Sequence, residues 1–292
     1  MSRSLPIPLL LASRVRTDEK RIMSALERKG VAHRYADSRS LWGALGRGEG
    51  PGTVVLNREI GQARAQYAAD LLEQAGHRVI NSAHAVRVCG DKWRTSVALE
   101  QARLPTPRTA LALTPEAALD AIESLGYPAV IKPLTGSWGR LVTRIPDREA
   151  AETIMEYVAA LPGPASHVVY VQQLVHKPGR DIRVIVIGGV PLGAVYRRSD
   201  QWRTNVARGG TTEACALTDE IAGLSSAAAD AVGAEIAGVD LIEDTDGRLT
   251  VLEVNHGVEF TGFQRVLGED LDVADRIADH LIARLQSCSE SL

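Results

Sequence analysis

The pattern of hydrophobic and polar positions predicts a small α/β domain at the start of the chain. Short apolar runs predict strands near residues 6–15, 35, 53–57 and 78–81. Between them, apolar residues recur at helical spacing over 17–29 and 63–74, and a glycine that can cap a helix follows each stretch. Strands that alternate with helices in this way indicate a doubly wound sheet.

Helices and strands continue to alternate after this domain, and the last third of the chain is rich in strands. Helices are predicted over 82–89, 91–102, 115–125, 147–160, 219–232 and 271–285. Strands are predicted over 109–113, 128–133, 140–145, 168–175, 182–187 and 192–198. A Pro- and Gly-containing stretch at 161–164 predicts a boundary. We expect an N-terminal α/β domain over 1–88, a central α+β subdomain over 89–164 and a C-terminal α+β subdomain over 165–292.

Composition narrows the class of protein without identifying it. The 292 residues are 45% hydrophobic and 24% charged, as in an ordinary globular protein of two or three subdomains. A net charge of -3 and 4% aromatic residues give no footprint for nucleic acid. Three widely spaced cysteines predict reduced thiols, no zinc site and a cytoplasmic protein. No apolar run is long enough for a membrane span.

A hairpin near the end of the chain concentrates oxygen ligands. The stretch 244–247, Asp-Thr-Asp-Gly, is a strong turn signal between two apolar runs. If the turn is centred between residues 246 and 247, Asp240 lies opposite Glu253, and Asn255 shares a face with Glu253. Such a set suits Mg²⁺ that also binds substrate phosphates, although an ordinary solvated hairpin face is an equal alternative for this pattern alone.

Two lysines and a glycine loop suggest a phosphate clamp. Lys132 ends an apolar strand, where a lysine is rare unless it pairs with something, and the loop of residues 135–140 follows at once. Glycines allow backbone N–H groups to approach an anion closely, but a β-turn beside a partly buried lysine fits equally well. Lys92, near a helix start, has no local sign of function and is more readily a solvated residue.

Two further polar stretches could contact a nucleotide or an acid. Gln172 and Gln173 end a strand and could read an adenine edge, and Asp181, shortly after them, could bind ribose hydroxyls, although a polar turn is the better explanation. Four arginines lie close together at 197–210, which favours an anion site over an unspecific basic patch. Together the motifs suit a nucleoside triphosphate with Mg²⁺ and a transferring phosphoryl group.

The order of these motifs resembles that of the ATP-grasp ligases over nearly the whole chain. More narrowly, the blocks CGDKWRTSVALEQARLPTPRTALA, GYPAVIKPLTGSWGRL, KPGRDIRV, YRRSDQW and EVNHGVEF resemble the amino-group carrier protein ligases of the LysX/ArgX branch, which are related to ribosomal-protein glutamate ligase. The resemblance implies an α/β ATP-grasp fold with three subdomains and ATP held between the central and C-terminal ones.

The resemblance also implies a role for each matching residue. It places Lys92 and Lys132 on the phosphates of ATP, and the loop residues Gly136, Ser137, Trp138, Gly139 and Arg140 over those phosphates. The residues expected at adenine are Gln172, Gln173 and Leu174. Those expected beside the rest of the nucleotide are Asp181, Arg183 and Asn205. It makes Asp240, Glu253 and Asn255 the Mg²⁺ ligands. Arg197 and Arg208, with Lys132, are the expected catalytic cations, and Arg197, Arg208, Gly209, Gly210, Glu259, Gly262 and Phe263 are the expected substrate contacts. Family members often have Gln-Glu where this chain has two glutamines.

The implied reaction joins an amino acid to a protein. ATP phosphorylates the side-chain carboxylate of the C-terminal Glu of a small acidic carrier protein, and the α-amine of the amino acid displaces the phosphate. Gly262 and Phe263 resemble the glutamate-selecting branch, although Phe263 could also be core packing. An α-aminoadipate ligase of lysine biosynthesis, a glutamate ligase acting on another protein's C-terminus and a catalytically silent ATP-binding regulator remain alternatives. The resemblance implies a homodimer or a homotetramer. The reaction would belong to arginine, lysine or secondary-metabolite biosynthesis.

Overall fold

A parallel sheet forms the N-terminal unit of the computed structural model, which describes residues 7–45, 52–136, 141–199, 210–268 and 271–290. Its strands are β1 (Leu9–Leu11), β2 (Arg34–Ala36), β3 (Val54–Asn57) and β4 (Arg78–Ile80), in the order β2-β1-β3-β4. The helix α1 (Thr17–Arg28) connects β1 with β2, and α2 (Gln62–Gln74) connects β3 with β4. The predicted α/β alternation is confirmed here.

An antiparallel sheet forms the central unit. It contains β5 (Thr109–Ala112), β6 (Ala129–Lys132), β7 (Thr143–Ile145) and β8 (Val169–Gln173), in the order β5-β8-β6-β7. The helices α5 (Pro115–Leu125) and α6 (Arg148–Ala159) pack on it around a core that includes Ile122, Ile145 and Val171. Because β8 pairs with both β5 and β6, the change of sheet comes after Gln173, later than the boundary predicted at 164.

The C-terminal unit is a five-stranded antiparallel sheet in the order β11-β10-β9-β12-β13. Its strands are β9 (Arg180–Ile187), β10 (Val190–Arg198), β11 (Thr211–Cys215), β12 (Ile236–Glu243) and β13 (Leu249–Asn255). The helix α7 (Asp219–Ala231) covers one face together with α3 (Ala83–Cys89) and α4 (Lys92–Gln101). The alternation of side chains did not predict β11 or the short helix α8 (Thr261–Leu267).

The last helix, α9 (Val273–Glu290), packs the C-terminal end of the chain against the N-terminal unit. It packs against α1 and β3, and its Ile277 and Leu281 share one core cluster with Ile22 and Leu26 of α1. The N-terminal unit is therefore fixed to the C-terminal sheet by apolar burial, the main favourable contribution to folding. In the described part of the chain, no helix combines the length and the apolar character that a membrane span needs.

Side-chain caps begin most of the helices that position the site. Each capping oxygen accepts a hydrogen bond from a backbone N–H of the first turn, which satisfies a donor that has no partner within the helix. The capping residues are Ser82, Asp91, Thr114, Asp147 and Thr218. The cap at Asp91 places Lys92 in the first turn of α4, next to the central sheet.

Candidate active site

The hairpin formed by β12 and β13 confirms the predicted pairing of Asp240 with Glu253. Nearer the turn the partners are shifted by one residue, so that Leu241 lies opposite Val251. The register changes between Asp240 and Leu241, and Leu252 is the extra residue of a β-bulge in β13. The pairing of the two acids therefore depends on this bulge as well as on the turn.

The bulge directs two successive side chains toward one cavity, which lies between the three units. Leu252 and Glu253 both line it, whereas Val251 and Val254 on either side are buried in the core. Neighbouring residues of a regular strand point to opposite faces of the sheet. Without the extra residue, the register set at the turn would place Leu252 opposite Asp240 and direct Glu253 toward the core.

Asp240 is part of a buried network of alternating charges. Arg183 donates to both of its carboxylate oxygens, with Nη2 2.9 Å from Oδ2. Arg197 Nη2 lies 3.0 Å from the same Oδ2, and Arg197 Nε donates to Asp181 Oδ1 at 2.6 Å. Lys177 Nζ is 3.5 Å from Asp181 Oδ2. Burial favours a lower pKa for Arg197, but Asp240 and Asp181 outweigh it and raise the pKa above its ordinary value.

The setting of Arg197 differs from that of a freely available substrate cation. The residue is 8% exposed, and its guanidinium is engaged by two carboxylates. Asp181, predicted at the ribose, is likewise buried and held by Arg197 and Lys177. We interpret Arg197 as the residue that fixes both acids at the edge of the cavity, a contact that chain order could not reveal.

The oxygen atoms around Glu253 fit a magnesium ion that is completed by phosphates. Among the described residues, the carboxylate of Glu253 has no hydrogen-bond or ion-pair partner. Asn255 donates its amide nitrogen to Gly238 O at 3.4 Å, which leaves its amide oxygen available. Asp240 keeps lone pairs beyond those that the arginines occupy. The described residues form no cluster of three or more His, Cys, Asp or Glu suited to a metal. One or two carboxylates suffice for Mg²⁺ that also binds substrate phosphates.

Lys132 is positioned by the residue predicted to read adenine. Its Nζ donates to Gln172 Oε1 at 2.5 Å. Gln172 is 1% exposed and donates its amide nitrogen to Tyr170 Oη at 2.9 Å and to Thr109 Oγ1 at 3.2 Å. The amide thus uses both of its hydrogens within the protein, and its oxygen orients the lysine. Burial lowers the pKa of Lys132 to about 8, against the attraction of Glu253, which raises it.

The affinity of the protein for ATP is expected to fall as the pH rises through about 8. Only the ammonium form of Lys132 attracts phosphate, and its pKa in the free protein lies near that value. Calorimetric titrations with a non-hydrolysable ATP analogue on both sides of this pH measure the effect. Lys132→Arg should flatten the profile, because arginine stays protonated. An equally steep fall in that variant would contradict the assignment.

The lowered pKa of Lys132 makes the stability of the protein change with pH in the direction opposite to its affinity for ATP. The folded-state pKa of Lys132 is below its ordinary value of 10.5, so the unfolded chain binds more protons between about pH 8 and 10.5. The contribution of this group to the free energy of unfolding therefore rises with pH across that window, while the affinity for phosphate falls.

Lys92 connects the start of α4 to the glycine loop. Its backbone N–H donates to Leu134 O at 2.9 Å, and its Nζ donates to Gly136 O at 2.9 Å. Both predicted phosphate lysines and Gly136 line the same cavity. The other residues predicted to cover the phosphates, Ser137, Trp138, Gly139 and Arg140, lie outside the described residues, as do Asn205, Arg208 and Gly209.

One cavity of about 700 Å³ lies between the three units and is bordered by both lysines, Gln172, Arg197, Asp240, Glu253 and Asn255. Its described lining contains eight basic side chains and five acidic ones, an excess of positive charge in a chain whose net charge is -3. Apolar side chains from the central and C-terminal sheets also line it: Val130, Val142, Leu174, Ile242 and Leu252. Gln173 is exposed but borders the same space. A mixed lining of this kind suits a polyanion that carries an aromatic base.

The predicted substrate segment also reaches the cavity. Glu259, Gly262 and Phe263 line it, although Phe263 is 4% exposed and belongs to the core cluster that joins the N-terminal unit to α9. Gly210, directly before β11, is partly buried and is absent from the described lining. Phe263 therefore combines core packing with a position at the cavity wall.

Several basic residues of the cavity lining were not predicted from the sequence. Arg58 directly follows the apolar run of β3, and Arg144 lies on β7 opposite Val130. Lys177 begins the block KPGRDIRV and was not predicted as a site residue. Charged residues just after the strands of a parallel sheet are a general sign of a binding crevice, and that rule could have identified Arg58.

Comparison with known proteins agrees with this geometry. A model of the LysX pre-ATP-grasp domain matches residues 9–88, and a model of the RimK-like ATP-grasp domain matches residues 89–281. A glutamate–LysW ligase ArgX from Sulfurisphaera tokodaii is 34% identical over 94% of this chain and 97% of its own length. An alpha-aminoadipate–LysW ligase LysX from Sulfolobus acidocaldarius is 31% identical over 86% of this chain and 93% of its own length.

A solved structure extends the agreement to the fold. The RimK domain ATP-grasp protein from Sphaerobacter thermophilus superposes with a TM-score of 0.77 and 27% identity, and the match covers 94% of this chain and 99% of that one. These findings confirm the predicted family and the predicted α/β ATP-grasp fold. The chain belongs to the RimK-like ATP-grasp family and begins with the LysX pre-ATP-grasp domain of that family.

Proposed function

We propose that this protein is an ATP-dependent carboxylate–amine ligase that joins the α-amino group of glutamate to a carrier protein. The acceptor is the side-chain carboxylate of a C-terminal Glu on a small acidic amino-group carrier protein. The observation that carries the proposal is the cavity in which Glu253, without a partner in the described residues, faces Asp240 near Lys92 and Lys132. Relatives named as ligases of glutamate and of α-aminoadipate on LysW support the same class of reaction.

ATP would lie with its phosphates beside the two lysines. Lys132, oriented by Gln172, and Lys92, held at Gly136, would neutralise negative charge there. Asp240, Glu253 and Asn255 would hold Mg²⁺, which when bound stabilises charge on the transferring phosphoryl group. The apolar side chains of Val130 and Leu252 would lie against the base. In this arrangement, most of the catalytic effect comes from positioning and charge neutralisation.

The residues of the chain would then guide a reaction in two steps. In the first, an oxygen of the carrier's glutamate side chain attacks the γ-phosphorus of ATP, and ADP leaves. In the second, the amine attacks the acyl carbon, phosphate leaves, and an isopeptide bond forms. Arg183 and Arg197 hold the carboxylate of Asp240 in place throughout both steps. The proton of the amine passes to solvent or to the departing phosphate.

Phe263→Leu is expected to move the preference from glutamate toward α-aminoadipate by roughly tenfold, because one methylene of pocket length is worth 1–3 kcal/mol. The variant should also lose about 1–2 kcal/mol of stability. A small polar residue at this core position would cost about 3–5 kcal/mol and is a poorer probe. Relative kcat/KM values for the two amino acids measure the effect.

Phe260→Leu is the matched control for that variant. Phe260 is fully buried in the same core cluster, but it is not part of the described cavity lining. It should lower stability by a similar amount and leave the preference unchanged. If both variants change the preference equally, Phe263 acts through packing and not through the pocket wall.

Mass spectrometry of the carrier protein tests the proposed function directly. The protein is incubated with ATP, Mg²⁺, the carrier and either glutamate or α-aminoadipate, and a mass increase of one residue on the carrier is expected, with glutamate preferred. Addition to a different protein's C-terminus would favour the alternative glutamate ligase. ADP release that stays at background in every mixture would favour a regulator without catalytic activity. The proposal includes a cytoplasmic setting and a homodimeric or homotetrameric assembly.

A further inference from the structure

A chain of ion pairs extends from the N-terminal unit to the predicted substrate segment. Arg16, which precedes α1, donates Nε and Nη2 to the carboxylate of Glu19 at 2.9 and 2.8 Å, and its Nη1 lies 2.5 Å from Glu259 Oε1. Arg16 and Glu259 both line the cavity. The function proposed above assigns no role to Arg16.

Buried partners hold the Arg16 guanidinium in place. Glu19 is fully buried and also accepts from Arg58 Nε at 2.9 Å. Arg58 in turn donates to Val258 O at 2.7 Å, in the segment that carries Glu259. The orientation of Arg16 is therefore set by Glu19 and does not depend on Glu259. A guanidinium fixed in this way can accept a second carboxylate with little loss of conformational freedom.

The same segment is anchored from its other side. Asp18, 4% exposed, accepts from the backbone N–H of Phe260 at 2.8 Å and from the hydroxyl of Thr261. Residues of the N-terminal unit thus position the backbone on both sides of Glu259. The carboxylate of Glu259 itself remains accessible, with its side chain 56% exposed.

The fold independently favours a ligand at this place. In the order β2-β1-β3-β4, chain connections diverge from the pair β1 and β3, and these strands lead into the loops that carry Arg16 and Arg58. Small ligands of open parallel sheets bind beyond the carboxyl ends of the strands at such a switch point. Here that crevice opens into the same cavity as the phosphate-binding lysines.

We infer that Arg16 and Glu259 form the subsite for the head group of the incoming amino acid, an inference that rests on the proposed function. The free end of the Arg16 guanidinium binds the α-carboxylate, and Glu259 accepts a hydrogen bond from the α-amino group. Opposite charges held side by side match the α-carboxylate and α-ammonium of an amino acid. An acidic side chain placed there would instead meet the like charge of Glu259.

The resting ion pair between Arg16 and Glu259 is suited to exchange its partners. Partly exposed ion pairs contribute only about 0–1 kcal/mol to stability, so that opening the pair costs little. The substrate head group offers each residue an equivalent opposite charge. The pair should therefore matter for amino acid binding and not for holding the units together.

Arg16→Met tests this subsite against a role as a structural latch. The variant should raise KM for glutamate by about tenfold or more, because it removes a charge-assisted hydrogen bond. KM for ATP should change less than about twofold. Glu259→Gln, which leaves the buried Glu19 untouched, should also raise KM for glutamate without changing the melting temperature.

Arg28→Met is the matched control. Arg28 Nη2 lies 2.6 Å from Asp275 Oδ1, a partly exposed ion pair of similar length that also connects α1 with the C-terminal part of the chain, but away from the cavity. It should leave both KM values unchanged. If Arg16→Met and Arg28→Met lower the melting temperature alike and change both KM values alike, Arg16 is a latch and the inference is wrong.

Substrate analogues decide which carboxylate Arg16 binds. The wild type should disfavour the α-amide of glutamate by about tenfold relative to glutamate, and Arg16→Met should remove this difference. If the variant instead removes the difference between glutamine and glutamate, Arg16 binds the side-chain carboxylate and the assignment is overturned.

Calorimetric titration separates this inference from the proposed function. Glutamate binding in the presence of Mg²⁺ and ADP does not require turnover. Binding that depends on Arg16 in a protein that adds nothing to the carrier would refute the proposed function and leave the subsite in place. Transfer to the carrier that is indifferent to Arg16 and Glu259 would refute the subsite alone.

Discussion

Glu253→Gln is expected to reduce ligation by about 100-fold or more while the protein remains folded. The substitution keeps the shape of the side chain but removes a negative charge from the predicted magnesium ligands, and a metal at such a site contributes several kcal/mol to transition-state stabilisation. The carboxylate of Glu253 has no hydrogen-bond or ion-pair partner in the described residues, so the loss of its charge should affect stability little. The kcat at saturating Mg²⁺ and the Mg²⁺ concentration needed for half-maximal rate measure the effect.

Asp246→Asn is the control for this experiment because it removes the same charge from the same hairpin. Asp246 is exposed at the turn, and it is not in the cavity lining. Its rate and Mg²⁺ requirement should match those of the wild type. Near wild-type turnover in Glu253→Gln would show that Glu253 holds no catalytic metal.

Arg197→Met is expected to lower the free energy of unfolding by about 3–5 kcal/mol, because it leaves two buried carboxylates without a shared cation. Asp181 and Asp240 are each 4% exposed, and Arg197 contacts both. Activity should fall as well, since Asp240 loses one of the groups that fix it. Urea unfolding and single-turnover kinetics measure the two effects separately.

Arg198→Met tests the neighbouring residue on the same strand. Arg198 Nε donates to Glu213 Oε2 at 2.6 Å, but the two side chains are 42% and 50% exposed, and such a partly exposed pair contributes only about 0–1 kcal/mol. An equal loss of stability in the two variants would contradict the buried network. A loss of activity in Arg197→Met at unchanged stability would instead restore the predicted role of Arg197 as a substrate-binding cation.

Short-range signals predicted most elements of the fold. Helices such as α5 and α6 combine apolar spacing with capping residues, and both kinds of signal lie within the helix itself. The helix α8 and the strand β11 were not predicted, because each is short and gains its stability from contacts with distant segments. The strand predicted over 168–175 is present as Val169–Gln173, but its membership of the central sheet depends on pairing with β5 and β6.

The predicted pairing of Asp240 with Glu253 in the hairpin is correct, but the predicted turn alone does not produce it. The predicted turn was centred between Asp246 and Gly247, whereas the loop closes with Gly247 N–H on Asp244 O and holds Gly247 at φ +81°. This turn alone sets a register that is shifted by one residue. The bulge at Leu252 restores the predicted pairing of Asp240 with Glu253, and no local sequence signal indicated it.

The sequence by itself determined the family, the order of the elements and the candidate oxygen ligands and lysines, because these depend on residue type and on spacing along the chain. Only the tertiary structure decided which groups are already occupied. It engages Gln172 with Lys132 and Arg197 with two aspartates, and it brings Arg16 to Glu259. The physical reason is that a charged group or an amide can bind a ligand only through hydrogen bonds and ion pairs that it does not already form with other residues. Those other residues come from distant parts of the chain.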